Sequence, residues 1–200
     1  AETNELSLIL RAGALPAPLI VMEERSIGPG LGADSVAAGQ VAAIVGLVLV
    51  IIYMILSYGF FGVLANIALA VNITLILGTL SFIQATLTLP GIAGIVLTMG
   101  MAVDANVLVF ERIREELRRG RNVMAAIEGG YQRAISTIID SNLTTLFAAL
   151  FLYGFGSGPI RGFAVTLAIG IITSLFTAVM VTRMLIIIWL ERKRPRELVL

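Results

Sequence analysis

Long apolar runs separated by short polar breaks dominate the sequence and predict membrane-spanning helices. About 20 residues of helix, rising about 1.5 Å each, cross the roughly 30 Å hydrocarbon core of a bilayer. We therefore predict an all-α membrane protein, a polytopic helical bundle with five transmembrane helices. The predicted spans are residues 35–56, 62–82, 91–110, 134–153 and 163–190.

Three segments outside these spans have a different pattern. Residues 1–34 are mixed in polarity and punctuated by proline and glycine, which indicates the C-terminal edge of a water-exposed domain, a short α/β remnant. Residues 111–133 are amphipathic and predict a surface helix along the membrane, ended by Gly120 and followed by a second short helix capped by Asn122. Residues 191–200 form a charged tail.

Composition supports a membrane protein and restricts the available chemistry. Hydrophobic residues make up 58% of the chain and charged residues 14%, well below the charged fraction of about 25% in soluble domains. The chain has no cysteine and no histidine, which excludes disulfides, thiol nucleophiles and most zinc sites. Any proton chemistry must therefore use carboxylates. The net charge of +1 gives no argument for a nucleic-acid partner.

The distribution of basic residues predicts the orientation of the chain. Six of the 14 Lys and Arg residues lie in residues 112–133 and four more in residues 192–196. The positive-inside rule places both segments in the cytoplasm. With five spans, the N-terminal segment is then outside the cytoplasm and the C-terminus is cytoplasmic.

Asp104 is the one ionisable residue among the twenty residues between Pro90 and Glu111. A charge inside the membrane costs about 2.5 to 3.5 kcal/mol even on insertion scales, so it is seldom found there without a partner or a function. Glycines at 91, 94 and 100 and alanines at 102 and 105 indicate close packing against neighbouring helices. We therefore expect Asp104 to be enclosed within the bundle, facing opposite charge on an adjacent helix.

Asp140 and Arg183 are predicted to lie in the same layer as Asp104. Counted from the nearest charged end of its span, each lies seven or eight residues inside the membrane, or about 10 to 12 Å. Two carboxylates and one guanidinium leave one negative charge, which a proton can balance. The prediction is a proton relay with Arg183 as charge partner. The supporting polar residues are Asn106, Asn142 and Thr144. The alternative is that the three charges neutralise one another and only hold helices together, or that Arg183 extends toward the cytoplasm.

Several stretches resemble a known family. They are TLTLPGIAGIVLTMGMAVDANVLVFERIREELRRG, AIEGGYQRAISTIIDSNLTTL, GSGPIRGFAVTLAIGI and SLFTAVMVTR. Together they resemble the transmembrane half of the SecD family, protein-export membrane proteins of the resistance-nodulation-division (RND) superfamily. LILRAGALPAP and EERSIGPGLGADS similarly resemble the junction where the family's periplasmic domain returns to the membrane. The resemblance implies that the first helix and most of that domain are missing from this sequence.

The resemblance implies a component of the bacterial Sec export machinery in the inner membrane. It implies that protons flowing inward drive periplasmic motions that pull exported chains outward. Asp104 is the aspartate of the family's VDAN motif, and Asp140 begins its D-A-N-x-T-T motif, with Ser141 replacing alanine. The implied partners are SecF, the Sec translocon, the unfolded exported polypeptide, protons and membrane lipids. A proton-coupled transport component, without a cofactor, is implied rather than an enzyme.

Two other functions are compatible with the pattern. An RND small-molecule or lipid exporter would share the helical architecture, although multidrug exporters of that superfamily generally have paired aspartates where this chain has Asp104 alone. A non-catalytic scaffold that braces the translocon would make Asp104 and Asp140 purely structural.

Overall fold

A computed structural model describes residues 29–193, with side chains from Asp34 onward, as a bundle of helices. The elements are α1 (Pro29–Phe82), α2 (Leu89–Arg118), α3 (Val123–Phe155), α4 (Pro159–Phe176), a π-helical turn (Thr177–Val181) and α5 (Thr182–Lys193). No strand occurs in this part of the chain. The predicted all-α helical bundle is confirmed.

Helix α1 is a hairpin of two limbs, although its backbone is helical on both sides of the bend. Gly59 has φ 53° and ψ −122°, a conformation that glycine adopts without steric penalty. The Asn66 side-chain amide donates to the carbonyl oxygen of Ile51 at 3.2 Å. Those residues would lie more than 20 Å apart in a straight helix, at about 1.5 Å per residue. The chain therefore reverses at Gly59, between the first two predicted spans.

The remaining helices contain the other three predicted spans. Residues 91–110 lie within α2 and residues 134–153 within α3, while residues 163–190 run through α4, the π-helical turn and α5. Between residues 34 and 193, four continuous helices are long and apolar enough to cross a membrane, and the first contains both limbs of α1. The protein is a multi-pass membrane protein.

Helix α2 is the central helix and packs through glycines against α4. A Cβ on Gly94 would lie 3.3 Å from the Thr166 side chain, and one on Gly170 would overlap Thr98. These absent side chains let the two backbones approach closely. The predicted close packing holds at Gly94, whereas Gly100 faces open space.

Aromatic side chains join the α1 hairpin turn to the ends of α2 and α5. The ring centroids of Tyr58 and Phe110 are 5.4 Å apart, and those of Phe61 and Trp189 are 5.6 Å apart. The Tyr58 hydroxyl also donates to Glu111 at 3.1 Å. These contacts place the hairpin turn, the polar end of α2 and the end of α5 at one end of the bundle.

The structure differs from the prediction of separate surface helices in residues 111–133. Residues 111–118 continue α2 without a break, and residues 123–133 are the beginning of α3. Gly120, with φ 80°, lies in the turn between them, and the Asn122 side chain caps α3 by accepting from Ala125 N at 2.9 Å. No glycine or proline breaks the helix at Phe110 or Arg133, so each polar segment extends a spanning helix.

Two predicted segments lie largely outside the described residues. The α/β remnant assigned to residues 1–34 overlaps them at residues 29–34, which belong to the start of α1. Residues 1–28 lie outside the described residues. The C-terminal tail assigned to residues 191–200 overlaps them at residues 191–193, the end of α5.

Candidate functional site

Asp104 lies in a polar groove between α2 and α3. The groove has a volume of about 240 Å³ and is lined by Met101, Asp104, Ala105, Leu108, Ile138, Ser141, Asn142 and Thr145. The four α2 residues recur at helical spacing and so form one stripe of that helix. Hydroxyl and amide groups of α3 therefore face the carboxyl group across the groove.

The groove is open, so the helices of this chain do not enclose Asp104 as the sequence predicts. Asp104 is exposed, while its neighbours Ala102, Val103 and Asn106 are buried. The inward face of α2 is thus occupied by small, apolar and amide side chains, and the carboxyl group lies on the remaining face. No ion pair involves Asp104 among the described residues.

Asp140 lies beside the groove rather than in it. It is exposed, and the Thr144 hydroxyl bonds back to its backbone carbonyl at 2.9 Å. The polar α3 residues that line the groove with Asp104 are instead Ser141, Asn142 and Thr145. Asn142 is 9% exposed and donates to Ile138 O at 2.9 Å. The structure therefore places the two residues after Asp140 in the lining and leaves Asp140 outside it.

Arg183 lies on a different surface from Asp104. Its guanidinium carbon is 5.6 Å from the centre of the Tyr131 ring, a cation–π arrangement that joins α5 to α3. Arg183 borders a second, apolar concavity of about 540 Å³ formed by the π-helical turn and α5. No salt bridge links it to Asp104 or Asp140 within residues 34–193. The expected pairing of these charges within the chain is not present.

Asn106, predicted only as a supporting polar residue, makes a buried contact between helices. The Thr182 hydroxyl donates to Asn106 Oδ1 at 2.9 Å, and Asn106 Nδ2 donates to Ala102 O at 3.2 Å. Thr182 is fully buried and immediately follows the π-helical turn. The sequence analysis did not single out Thr182. The feature that could have drawn attention to it is its position next to Arg183, a charged residue inside a predicted span.

Sequence reasoning also missed a buried carboxylate at the end of α2. Glu116 has 1% of its side chain exposed and lies within 3 Å of three guanidinium groups, those of Arg119, Arg121 and Arg133. The neighbouring Glu115 pairs with Arg119, four residues later, and also with Arg112. The sequence feature that could have indicated this burial is the glycine pair at 129–130, which lets α3 approach α2 beside Ile113 and Glu116.

The described acidic side chains form no group of three or more that could hold a metal ion. The groove around Asp104 instead holds a single carboxyl group with hydroxyl and amide neighbours. Such a set can bind and release a proton and can hydrogen-bond water. It offers one carboxyl group, and no salt bridge pairs that group with a cation among the residues that the structure describes.

Comparisons with known proteins identify the family. Residues 17–192 match the family described as protein export membrane protein SecD/SecF, C-terminal. The chain is 56% identical over 197 residues to the protein translocase subunit SecD of Magnetococcus marinus and 58% identical to that of Rickettsia bellii. Each match includes 98% of this chain but 38% of the relative, so the chain spans less than half the length of these relatives.

A solved structure agrees with the sequence comparisons. The crystal structure of SecDF from Thermus thermophilus, described as a translocon-associated membrane protein, superimposes with a TM-score of 0.86 at 47% identity. The match covers 98% of this chain and 27% of that one. The resemblance read from the motifs is confirmed. The chain belongs to the SecD/SecF C-terminal family of protein-export membrane proteins.

Proposed function

We propose that this chain is the proton-conducting membrane part of a component of the bacterial Sec protein-export machinery. Its family membership and its similarity to SecD translocase subunits support this role. The single observation that carries the proton step is the open polar groove around Asp104. The protein acts as a proton-coupled transport component rather than as an enzyme.

Because Asp104 is exposed on this bundle, the proposal includes a second protein that covers its groove in the membrane. A carboxylate facing lipid would be costly, by about 2.5 to 3.5 kcal/mol for insertion alone, whereas a groove covered by protein can hold water and exchange a proton. Ser141 in the groove and Asp140 and Thr144 beside it are also exposed on α3. SecF is the proposed cover for this polar face. The similar solved structure is of SecDF, and this chain corresponds to 27% of it.

Asp104 is the proposed proton carrier, with Asp140 next to its path. Protonation of Asp104 would remove its charge and give it a hydrogen to donate. The side-chain oxygens of Ser141, Asn142 and Thr145 could accept that hydrogen, because their own donors bond to backbone carbonyls of α3. Arg183 borders the second concavity rather than the Asp104 groove. The proposed charge partner of Arg183 is therefore an acidic residue of SecF. One proton crossing 100 mV yields about 2.3 kcal/mol, enough to shift a two-state equilibrium by several tens of fold.

The Asn106–Thr182 bond provides the proposed link from the proton site to the rest of the bundle. Asn106 follows Asp104 by two residues, and Thr182 lies between the π-helical turn and Arg183. A shift of α2 on protonation would therefore be transmitted to α5 through a buried contact. π-Helical turns interrupt regular helix geometry and frequently occur at functional sites.

A purely bracing role receives less support. In that role Asp104, Asp140 and Arg183 would neutralise one another across helices. No such ion pairs occur among the described residues, and the two aspartates are exposed. A lone aspartate in the central helix likewise does not favour a small-molecule or lipid exporter.

The proposed orientation follows the basic residues. The α1 hairpin turn, the end of α2 and the end of α5 would face the cytoplasm, and the N-terminal segment would be periplasmic. Proton entry would then occur from the periplasm, and unfolded exported polypeptide would engage parts of the whole protein outside this membrane bundle. The Sec translocon is the proposed partner within the inner membrane.

The test replaces Asp104 in the full-length protein together with SecF. In inverted vesicles carrying the translocon, Asp104→Asn should abolish the stimulation of export by the proton-motive force and leave the ATP-driven stage intact. The matched control is Glu128→Gln, which removes an exposed carboxylate at the start of α3. Normal stimulation and proton flux with Asp104→Asn would contradict the proposal.

A further inference from the structure

The guanidinium cluster around Glu116 carries more positive charge than the buried carboxylate requires. Glu115 and Glu116 are joined by salt bridges of 2.7 to 2.9 Å to four arginines, at positions 112, 119, 121 and 133. One guanidinium is enough to neutralise Glu116. The cluster instead has two surplus positive charges, so its arginines repel one another unless an anion is present.

Two arginines of the cluster, Arg121 and Arg133, keep donors available. Arg121 contacts Glu116 through Nε at 2.9 Å, and Arg133 contacts it through Nη1 at 2.9 Å. Their side chains are 49% and 48% exposed, whereas the Glu116 side chain is 1% exposed. Since a guanidinium has five N–H donors in a planar fork, each arginine can bind Glu116 on one edge and an outer anion on another.

The buried carboxylate and two glycines hold the cluster in place. A Cβ on Gly129 would lie 3.0 Å from Arg121 Nη1, and one on Gly130 would lie 2.8 Å from Ile113 N. The α3 backbone therefore passes directly against α2 and against Arg121. The arginine forks are thus anchored by a nearly fully buried acid, which lowers the entropy lost when they bind a further group.

The cluster lies at the depth of lipid headgroups. Glu116 follows Glu111, the first charged residue after the apolar run of α2, by five residues. At about 1.5 Å per residue this is roughly 7.5 Å, comparable with the headgroup layer on one side of a bilayer. Exposed guanidinium groups at this depth suit the phosphate of a membrane lipid.

We propose that Arg121 and Arg133, held by Glu116, bind the phosphate of an anionic phospholipid. Arginine forms paired charge-assisted hydrogen bonds with phosphate oxygens. Basic pockets between transmembrane helices bind anionic headgroups by the same chemistry. The site lies at the end of α2 and α3, apart from the groove around Asp104, and its occupancy does not depend on a proton step.

The test measures lipid binding by the full-length protein directly. Native mass spectrometry from mixed micelles should show phosphatidylglycerol retained in preference to phosphatidylcholine. Arg121→Gln and Arg133→Gln should each weaken that retention about fivefold, the effect of one charge near a membrane surface. Arg192→Gln removes an exposed charge at the end of α5 and should leave retention unchanged. Thermal unfolding in the same detergent checks that the variants are folded.

Three results would overturn the proposal. The first is equal retention of the two lipids by the wild-type protein. The second is a loss of phosphatidylglycerol retention with Arg192→Gln as large as that with Arg121→Gln or Arg133→Gln. The third is displacement of phosphatidylglycerol by millimolar inorganic phosphate. The last result would indicate a free-anion site. If an arginine variant fails to fold, two measurements on the wild-type protein still test the proposal. They are its preference for phosphatidylglycerol and the retention of that lipid in the presence of inorganic phosphate. Export assays are not part of the readout, so failure here leaves the proposed function untouched.

Discussion

The Thr182 hydroxyl donates a hydrogen bond to Asn106 Oδ1 across 2.9 Å, deep inside the bundle. It joins the central helix, two residues after Asp104, to the helix that carries Arg183. Both partners are almost completely buried, so neither can exchange this bond for one with water. The contact fixes the rotation of α5 immediately after the π-helical turn.

Thr182→Val should destabilise the bundle by about 1 kcal/mol. The substitution keeps the branched shape but leaves Asn106 Oδ1 without its donor, and such bonds in membrane proteins contribute about 0.6 to 1.7 kcal/mol. Unfolding in detergent measures the change. Thr173→Val is the matched control, because its hydroxyl bonds to Gly170 O within its own helix. An equal loss in both variants would mean that the interhelical bond contributes nothing.

If the bond also transmits the proton signal, Thr182→Val should reduce export stimulated by the proton-motive force more than it reduces ATP-driven export. Thr182→Ser restores the donor and should recover most of the stimulation. A variant that is less stable but normally stimulated would restrict this bond to a structural role.

Gly170→Ala should destabilise the α2–α4 crossing by about 1 to 3 kcal/mol, the usual cost of overpacking. Its new methyl group would overlap Thr98 and lie 2.6 Å from the Thr98 Cβ, and β-branched threonine has few alternative rotamers. Gly100→Ala is the control on the central helix, since a Cβ there meets nothing within 4 Å. It should be neutral or slightly stabilising because alanine favours helix. Thermal unfolding of both variants in one detergent gives the comparison.

Glu116→Gln should lower the free energy of unfolding by about 3 kcal/mol. The glutamine cannot neutralise the three guanidinium groups, and removal of one partner from a buried ion pair costs about 3 to 5 kcal/mol. The half-exposed arginines place the effect at the lower end of that range. Glu115→Gln, whose side chain is 40% exposed, is the neighbouring control. Equal stability of the two variants would show that burial of Glu116 has no energetic consequence.

Single cysteines can test whether a partner covers the Asp104 groove, because this chain has no cysteine of its own. In a full-length protein free of other cysteines, Ser141→Cys should react with a small methanethiosulfonate reagent when SecF is absent. Co-expression of SecF should slow that reaction, since the groove would then be covered.

Thr74→Cys is the control for the labelling experiment. Thr74 is exposed on the second limb of α1, which does not line the groove. Its labelling should be the same with and without SecF. If Ser141→Cys also reacts equally in both samples, SecF does not cover this face.

The apolar runs by themselves determined the fold class. A bilayer core forces each spanning segment to satisfy its own backbone hydrogen bonds, so length and apolarity are enough to predict spanning helices. The same local information placed Asp104 within the central span, and Asn122 as a helix cap. The motifs around Asp104 and Asp140 were sufficient to identify the family.

Tertiary structure decided which side chains meet. Sequence depth put Arg183 level with Asp104, but depth does not fix the rotation of a helix, and packing turns Arg183 toward Tyr131 instead. The buried partner of Asn106 is 76 residues away in the chain, so no local pattern predicts it. Of two adjacent glutamates, Glu116 is buried because α3 crosses α2 at its glycine pair. These contacts depend on how separate helices dock, and the hydrophobic pattern of one helix does not contain that information.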